Sequence, residues 1–524
     1  MAKRLTTVQR SQYHRSHSLR WWPLLLIAAL AAIGYAMIWS VDSPNRQLQV
    51  LRTMQLIGGS ILLILIWLLA FSRLPWKRRW QVFAFIVVVL ALPVMFFRLA
   101  GFNGDVAPVF KWRWSLVQER LRNNVEELGD GAAYKALSYP QFLGPTRNAV
   151  VMNSHLERDW QKYPPQLLWQ RPVGKGWSAF AVANGFAITQ EQHEGDETVS
   201  CYDVLTGELR WRHRDHTGYA SPLTGDGPRA TPTLVNGKVY TLGATGVLNC
   251  LAVADGALLW NKDILRDNEA KAANWGVSGS PLVLDSLVIV SAGGANGRSL
   301  VAYHHKTGDR VWSGGDAPAG YSSPSLAKLL GRSQILIFNQ GSIAGHDPTN
   351  GKVQWQHDWP GGNPCVSQPL PITGERVLVS SGYGIGSKLF QIVETSNGMQ
   401  ASIVWESNRL KAKFANLVLH GGYVYGLDDG ILACLDPETG QRTWKAGRYG
   451  HGQVLLVDDL LLIQAENGEV VLVEANPADH NELSRFTALS SKTWNHPALA
   501  GDLLLVRNDR EAACYRLTLL NQKS

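Results

Sequence analysis

Cysteine is scarce in this 524-residue chain: there are five, no two are adjacent, and no C-x-x-C-H run occurs. A disulfide between neighbouring cysteines and a covalently attached haem are therefore excluded. Charge is thin as well, with Asp, Glu, Lys and Arg making up 18% of residues. The net charge of +8 arises without a long basic tract interleaved with stacking aromatics, so nothing points to a nucleic-acid partner. No metal-ligand cluster stands out, and no nucleophile–base pair can be named. His304 and His305 are adjacent and should point to opposite faces of a strand-turn. What the chain has in quantity is glycine, 50 residues, and tryptophan, 20 residues. That mixture suits short strands, tight turns and large apolar wedges.

Three apolar runs, 21–40, 55–71 and 80–97, follow one another closely, and none holds a charged side chain. Each is long enough to cross a hydrocarbon core as a helix, which predicts three transmembrane helices within 21–98. The first run is too long for a cleaved signal peptide, and no small-residue cleavage site follows it. Residues 1–20 form a basic tail with Lys3, Arg4, Arg10, Arg15 and Arg20, and the second inter-span loop carries Arg73, Lys77, Arg78 and Arg79. The first loop has only Arg46 and Arg52. The positive-inside bias then puts the N-terminus in the cytoplasm and everything after the third span outside. Residues 99–138 read as a connector. Phe110, Trp114, Val117, Leu121, Val125 and Leu128 recur at three- and four-residue steps, which predicts a short amphipathic helix that caps the next domain or lies along the membrane.

From Leu167 onward the pattern turns to short apolar runs bounded by Gly, Asn and Asp. Glycine and tryptophan stand four apart five times: Gly207/Trp211, Gly256/Trp260, Gly308/Trp312, Gly351/Trp355 and Gly440/Trp444. The glycine suits a turn with positive φ, and the tryptophan suits a wedge between neighbouring sheets. The tryptophan steps, Trp169 and Trp405 included, are those of a four-stranded propeller blade. Pro232, Pro281, Pro324, Pro369 and Pro497 fall where innermost strands should begin. Seven units run from 173 to about 486, and an eighth forms from the strands after Lys492 joined by "LLWQRP" at 167–172. The expectation is an all-β, eight-bladed β-propeller over 139–524, closed by a strand from its own N-terminal side.

The repeat "CLDPETGQRTW" at 434–444, with "YPQFLGP" at 139–145 and the closing run 492–517, resembles the pyrroloquinoline-quinone (PQQ) repeat propellers. That broad group includes the outer-membrane protein assembly factor B lipoproteins and the quinoprotein alcohol dehydrogenases. The resemblance implies the fold more firmly than any activity, because the docking motif holds blades together with or without a cofactor. In the dehydrogenases it implies a quinone between a tryptophan and an adjacent-cysteine disulfide, with calcium on carboxylate and amide oxygens and an aspartate base. This chain lacks the cysteine pair. Cys201, Cys250, Cys434 and Cys514 occupy equivalent blade positions where the family usually has alanine, and read as small buried spacers; Cys365 stands outside that pattern, near a pore mouth. Asp203, Asp347 and Asp436, four before their turn glycines, suit capping of turn amides.

The residues just before the innermost strands should ring one mouth of the channel. Among them Arg229, Trp275, Tyr321, Gln368, Lys413, His451, Trp494, Asn495 and His496 are the candidate binding residues, with Ser278, Ser322, Ser367 and Gln453 beside them. The same side chains could instead tie neighbouring blades together. No catalytic or metal residue is assigned, and no cofactor is expected. The resulting expectation is a non-catalytic scaffold or ligand-binding module, tethered by three helices in a bacterial inner membrane with its propeller in the periplasm. Its partner would be an exported protein or a small polar ligand. The alternative is a membrane-bound quinoprotein dehydrogenase of alcohols or sugars, with PQQ and calcium.

Overall fold

The computed structural model describes residues 20–40, 45–114, 122–123, 134 and 136–520. The chain divides into two compact units, Met1–Val117 and Gln118–Ser524.

The first unit holds three helices long and apolar enough to cross a membrane: α1 (Trp22–Ser40), α2 (Arg46–Ile66, continued by a π-helical turn Trp67–Phe71) and α3 (Trp76–Phe96). Helix α2 starts nine residues before the apolar run, with Asn45 accepting the Leu48 amide as its cap. The connector begins differently from the amphipathic helix expected of it. Strands β1 (Phe97–Phe102) and β2 (Pro108–Trp112) form an antiparallel hairpin, so Phe110 lies in a strand and Trp114 in the turn after it. The other residues of that pattern, Val117, Leu121, Val125 and Leu128, lie outside the described residues. The turn signal "NGD" at 103–105, where the Asn103 side chain accepts the amides of Asp105 and Ala107, outweighs the helical spacing.

The second unit is an eight-bladed β-propeller. Seven blades are consecutive antiparallel four-stranded meanders, and in the eighth the strand Gln166–Pro172 pairs outside Glu511–Arg516, closing the ring as the sequence required. The five blade-opening prolines each stand one residue before an innermost strand, where a missing N–H costs nothing. Six of the docking tryptophans reach the following blade rather than their own turn. Trp169 of blade 8 lies over Gly207 of blade 1, where an added Cβ would come within 2.6 Å of the indole, and its Nε1 donates to Val204 O at 2.8 Å. With φ at 69°, Gly207 is held in the left-handed region, so glycine is required twice over. Trp211, Trp260, Trp312, Trp405 and Trp444 repeat the indole bond to a carbonyl of the next blade. Trp355 departs from this pattern and donates to Gln334 of its own blade.

Directly across the strand pair from these rings stand small residues: Cys201 opposite Trp211, Cys250 opposite Trp260, Cys434 opposite Trp444 and Cys514 opposite Trp169. That is why cysteine recurs there. Cys365 is equally buried, and burial pushes its thiol up to about 11, so it is not a reactive thiol at the mouth. Asp203, Asp347 and Asp436 accept turn amides as expected. At the closing seam the buried Arg507 of blade 8 donates to Thr189 Oγ1 and to the carbonyls of Gln190, Gly174 and Gly176.

Candidate functional site, an aromatic cup

The geometry of the site follows from a single repeated register. In seven blades the residues four and two places before the innermost strand alternate toward the channel, as a period of two demands. The first position is filled by Trp177, Arg229, Ser278, Tyr321, Val366, Phe414 and Trp494. The second is filled by Ala179, Thr231, Ser280, Ser323, Gln368, Asn416 and His496. With Phe142, Thr224, Trp275 and Gln453 they enclose a cavity of about 150 Å³. At roughly 10–15 Å³ per water, that is room for about ten waters or one compact organic group.

The two positions do different work. Residues at the second build a belt between blades: the Thr231 amide donates to Ser280 Oγ at 2.9 Å, the Ser280 amide to Ser323 Oγ at 2.8 Å, and the Gln368 amide to Asn416 Oδ1 at 2.9 Å. Residues at the first carry most of the aromatic surface. Trp177 and Trp494 lie with centroids 4.7 Å apart, Trp275 and Tyr321 stack at 5.0 Å, and Phe414 contacts Trp494 at 5.2 Å. The rings touch one another, so no face-to-face slot remains between the members of a pair. Cations complete the rim. Lys492 Nζ sits 3.9 Å from the Trp494 centroid, Lys413 Nζ 4.8 Å from Tyr383, and Arg229 4.5 Å from Tyr219. Burial draws the pKa values of Arg229 and Lys492 below their ordinary values. No Asp or Glu is among the residues lining the cup.

The opposite mouth is covered by the segment 139–151. It pairs with blade 1 through Tyr139 and Val182, with blade 2 through the Leu234 amide on Pro140 O, and with blade 7 through Val150–Val151. Between them the buried Arg147 donates to the carbonyls of Pro281, Ser280 and Pro324 at 3.0–3.1 Å. Burial lowers its pKa to about 9. Beside this segment a second cavity, lined by Leu143, Arg147, Leu370 and Leu417 among others, shares Gln368 and Asn416 with the cup, so the segment narrows the channel on this side.

Of the sequence candidates, Arg229, Trp275, Tyr321, Gln368, Trp494 and His496 line the cup. Lys413 and His451 stand behind Phe414, with centroid distances of 5.6 Å each. Asn495 is turned into the seam, donating to Ser178 O at 2.8 Å. Ser278 lines the cup too, while Gln453 bridges the carbonyls of Phe414 and Trp494. Trp177 and Phe414 went unrecognised because their blades open on Phe180 and Leu417 rather than on proline; counting back from the strand start finds both.

The donor chemistry does not suit the dehydrogenase cofactors. Calcium seeks carboxylate and amide oxygens, and the cup offers only the amides of Gln368, Asn416 and Gln453. Asn416 Oδ1 is taken by the Gln368 backbone amide, and Gln453 donates its Nε2 to the carbonyls of Phe414 and Trp494 while its Oε1 stays unpaired among the described residues, so at most two amide oxygens, with no carboxylate beside them, face the cup. The one histidine in the lining, His496, has its ring nitrogens 2.8 and 3.2 Å from the carbonyls of Pro497 and Val454, and burial lowers its pKa to about 4. It is not placed to take a proton from a substrate.

Fold and repeat define an eight-bladed β-propeller. Residues 195–446 match the family model described as outer membrane protein assembly factor BamB. A quinohemoprotein alcohol dehydrogenase of Pseudomonas putida, ADH-IIG, is 26% identical over 261 residues, 47% of this chain and 32% of that protein. The chain thus aligns with about a third of that relative's length. Among solved structures, the quinohemoprotein alcohol dehydrogenase of Comamonas testosteroni superposes with TM-score 0.53 at 13% identity, covering 72% of this chain and 80% of the other. BamB of Moraxella catarrhalis gives 0.46 at 15%, covering 67% and 97%.

Proposed function

We propose that this protein is a non-catalytic recognition module, tethered by its three helices to a bacterial inner membrane with the propeller on the periplasmic side. It takes a compact polar or acidic group into the cup, from a small ligand or from an exported protein. The observation that carries this reading is the lining itself: aromatic rings and the Arg229 guanidinium face the cup, with Lys492 over the ring of Trp494, while no carboxylate lines it. The match to the BamB family model supports protein interaction as the mode of use. The relation to a quinohemoprotein alcohol dehydrogenase keeps a second reading in view, a membrane-bound PQQ-dependent dehydrogenase.

The two readings part in one experiment. Purified protein is incubated with PQQ and calcium, dialysed, and assayed for dye reduction with alcohols and sugars. The recognition module retains no quinone and reduces no dye, with or without calcium. Stoichiometric quinone retention that disappears in Trp275→Ala or Trp494→Ala would replace it with the dehydrogenase.

A further inference from the structure

The hairpin that leaves the third apolar helix has a two-sided chemistry. Register pairs Phe97 with Trp112 and Leu99 with Phe110, so these four side chains share one face. They are 40%, 45%, 54% and 61% exposed, respectively, which no water-soluble hairpin favours. The intervening pair, Arg98 opposite Lys111, points to the other face. Phe96, Trp112 and Trp114 form a cluster at the helix–hairpin junction, with centroid separations of 5.5–5.8 Å. Arg113 folds back from the same spot, its Nη2 donating to Val94 O at 3.0 Å.

Position completes the argument. Lys77, Arg78 and Arg79 hold the first turn of α3 at the opposite headgroups, and the apolar remainder from Trp80 to Phe96 rises about 25 Å, a little less than the hydrocarbon thickness. The strand begins at the next residue, so a hairpin joined to a membrane-spanning α3 starts at the boundary between acyl chains and headgroups. An open hairpin edge is not tolerated deeper in the bilayer, and tryptophan concentrates at that depth. We infer that the 97–112 hairpin lies in the outer membrane–water interface, its Phe97/Leu99/Phe110/Trp112 face in the acyl region and its Arg98–Lys111 pair bound to the phosphates of acidic phospholipid. This rests on the membrane-tethered reading. The occupant is lipid because the apolar face continues the apolar surface of α3, while the basic pair meets the charge of acidic headgroups.

The test uses the full chain in vesicles of phosphatidylcholine with and without phosphatidylglycerol. The five native cysteines are buried, so a fluorophore goes to an introduced one. A label at Phe110→Cys should be quenched by acyl-chain-borne quencher and a label at Arg98→Cys should not. Phosphatidylglycerol co-purifying in detergent should fall about fivefold for each charge removed in Arg98→Gln and Lys111→Gln, and stay unchanged in Arg98→Lys with Lys111→Arg. Three results would overturn the inference: a Phe110→Cys label reached by aqueous iodide, the same label crosslinking to a second copy, or lipid retention unmoved by the glutamines. If the membrane reading itself fails, the chain stays in the aqueous phase without detergent, an outcome distinct from all three.

Discussion

A single carboxylate sets an expected pH dependence of stability. Glu197 in blade 1 is buried and reaches the next blade, accepting the Ala244 amide at 2.9 Å and the Thr245 hydroxyl at 3.0 Å. Burial lifts its pKa from 4.5 to about 7, against the hydrogen bonds that lower it. Because the folded protein holds this proton more tightly than the unfolded chain, stability is greatest below about 4.5, falls as pH rises to about 7, and stays at its lowest above. The span corresponds to at most about 3 kcal/mol. Glu197→Gln should therefore flatten the dependence, with a Tm above wild type at pH 8 and close to it at pH 4. A wild-type Tm that rises relative to the variant across that window would reverse the assignment. Such a residue is invisible in the sequence, where "DETVS" looks like any edge of a strand; only the packing of blade 2 against it buries the charge.

Blades were far more legible than the connector, for a physical reason. In blades 8, 1, 2 and 3 a docking tryptophan meets a glycine in the neighbouring turn and a small residue across the strand, so the same three constraints recur in the chain, and blades 5 and 6 keep part of the set. Replacing Trp169, the copy that joins blade 8 to blade 1, by Ala should cost about 3–5 kcal/mol, read as a lowered midpoint of chemical unfolding. An unchanged midpoint would mean that the seam does not depend on that ring. Local spacing, by contrast, misled at 99–114. Phe110 and Trp114 satisfy a four-residue step, yet Phe110, Trp112 and Trp114 also satisfy a two-residue step, and only the turn at Asn103 decides between them. The cup was half legible for a related reason. Its rim was sought among the blades that open on proline, whereas the register that builds it also runs through blades 1 and 6, which open on other residues.

At the scale of the whole molecule, the proposed membrane tether would take its direction across the bilayer from charge and from one contact. Arg46 at the start of α2 pairs with Asp105 in the hairpin turn after α3, at 3.1 Å. The α1–α2 loop and the α3 exit therefore lie at the same end of the bundle, as an odd number of crossings requires. That end carries cations too: Arg46, Arg52, Arg98, Lys111 and Arg113, five against the nine of the basic tail and the α2–α3 loop. The hairpin thus narrows the positive-inside bias without reversing it. The balance holds because topology is set chiefly by the short segments retained in the cytoplasm, and the loop beside α3 concentrates four of the nine within seven residues, Arg73–Arg79. A reporter active only outside the cytoplasm should accordingly work when fused after Gly104 and fail when fused near Lys77. Neutralising Arg73, Lys77, Arg78 and Arg79 together should bring the charge balance to parity and populate the inverted arrangement, read as reporter activity appearing at Lys77. Activity at Lys77 in the unaltered chain, with none after Gly104, would put the propeller in the cytoplasm and remove the basis for a periplasmic partner.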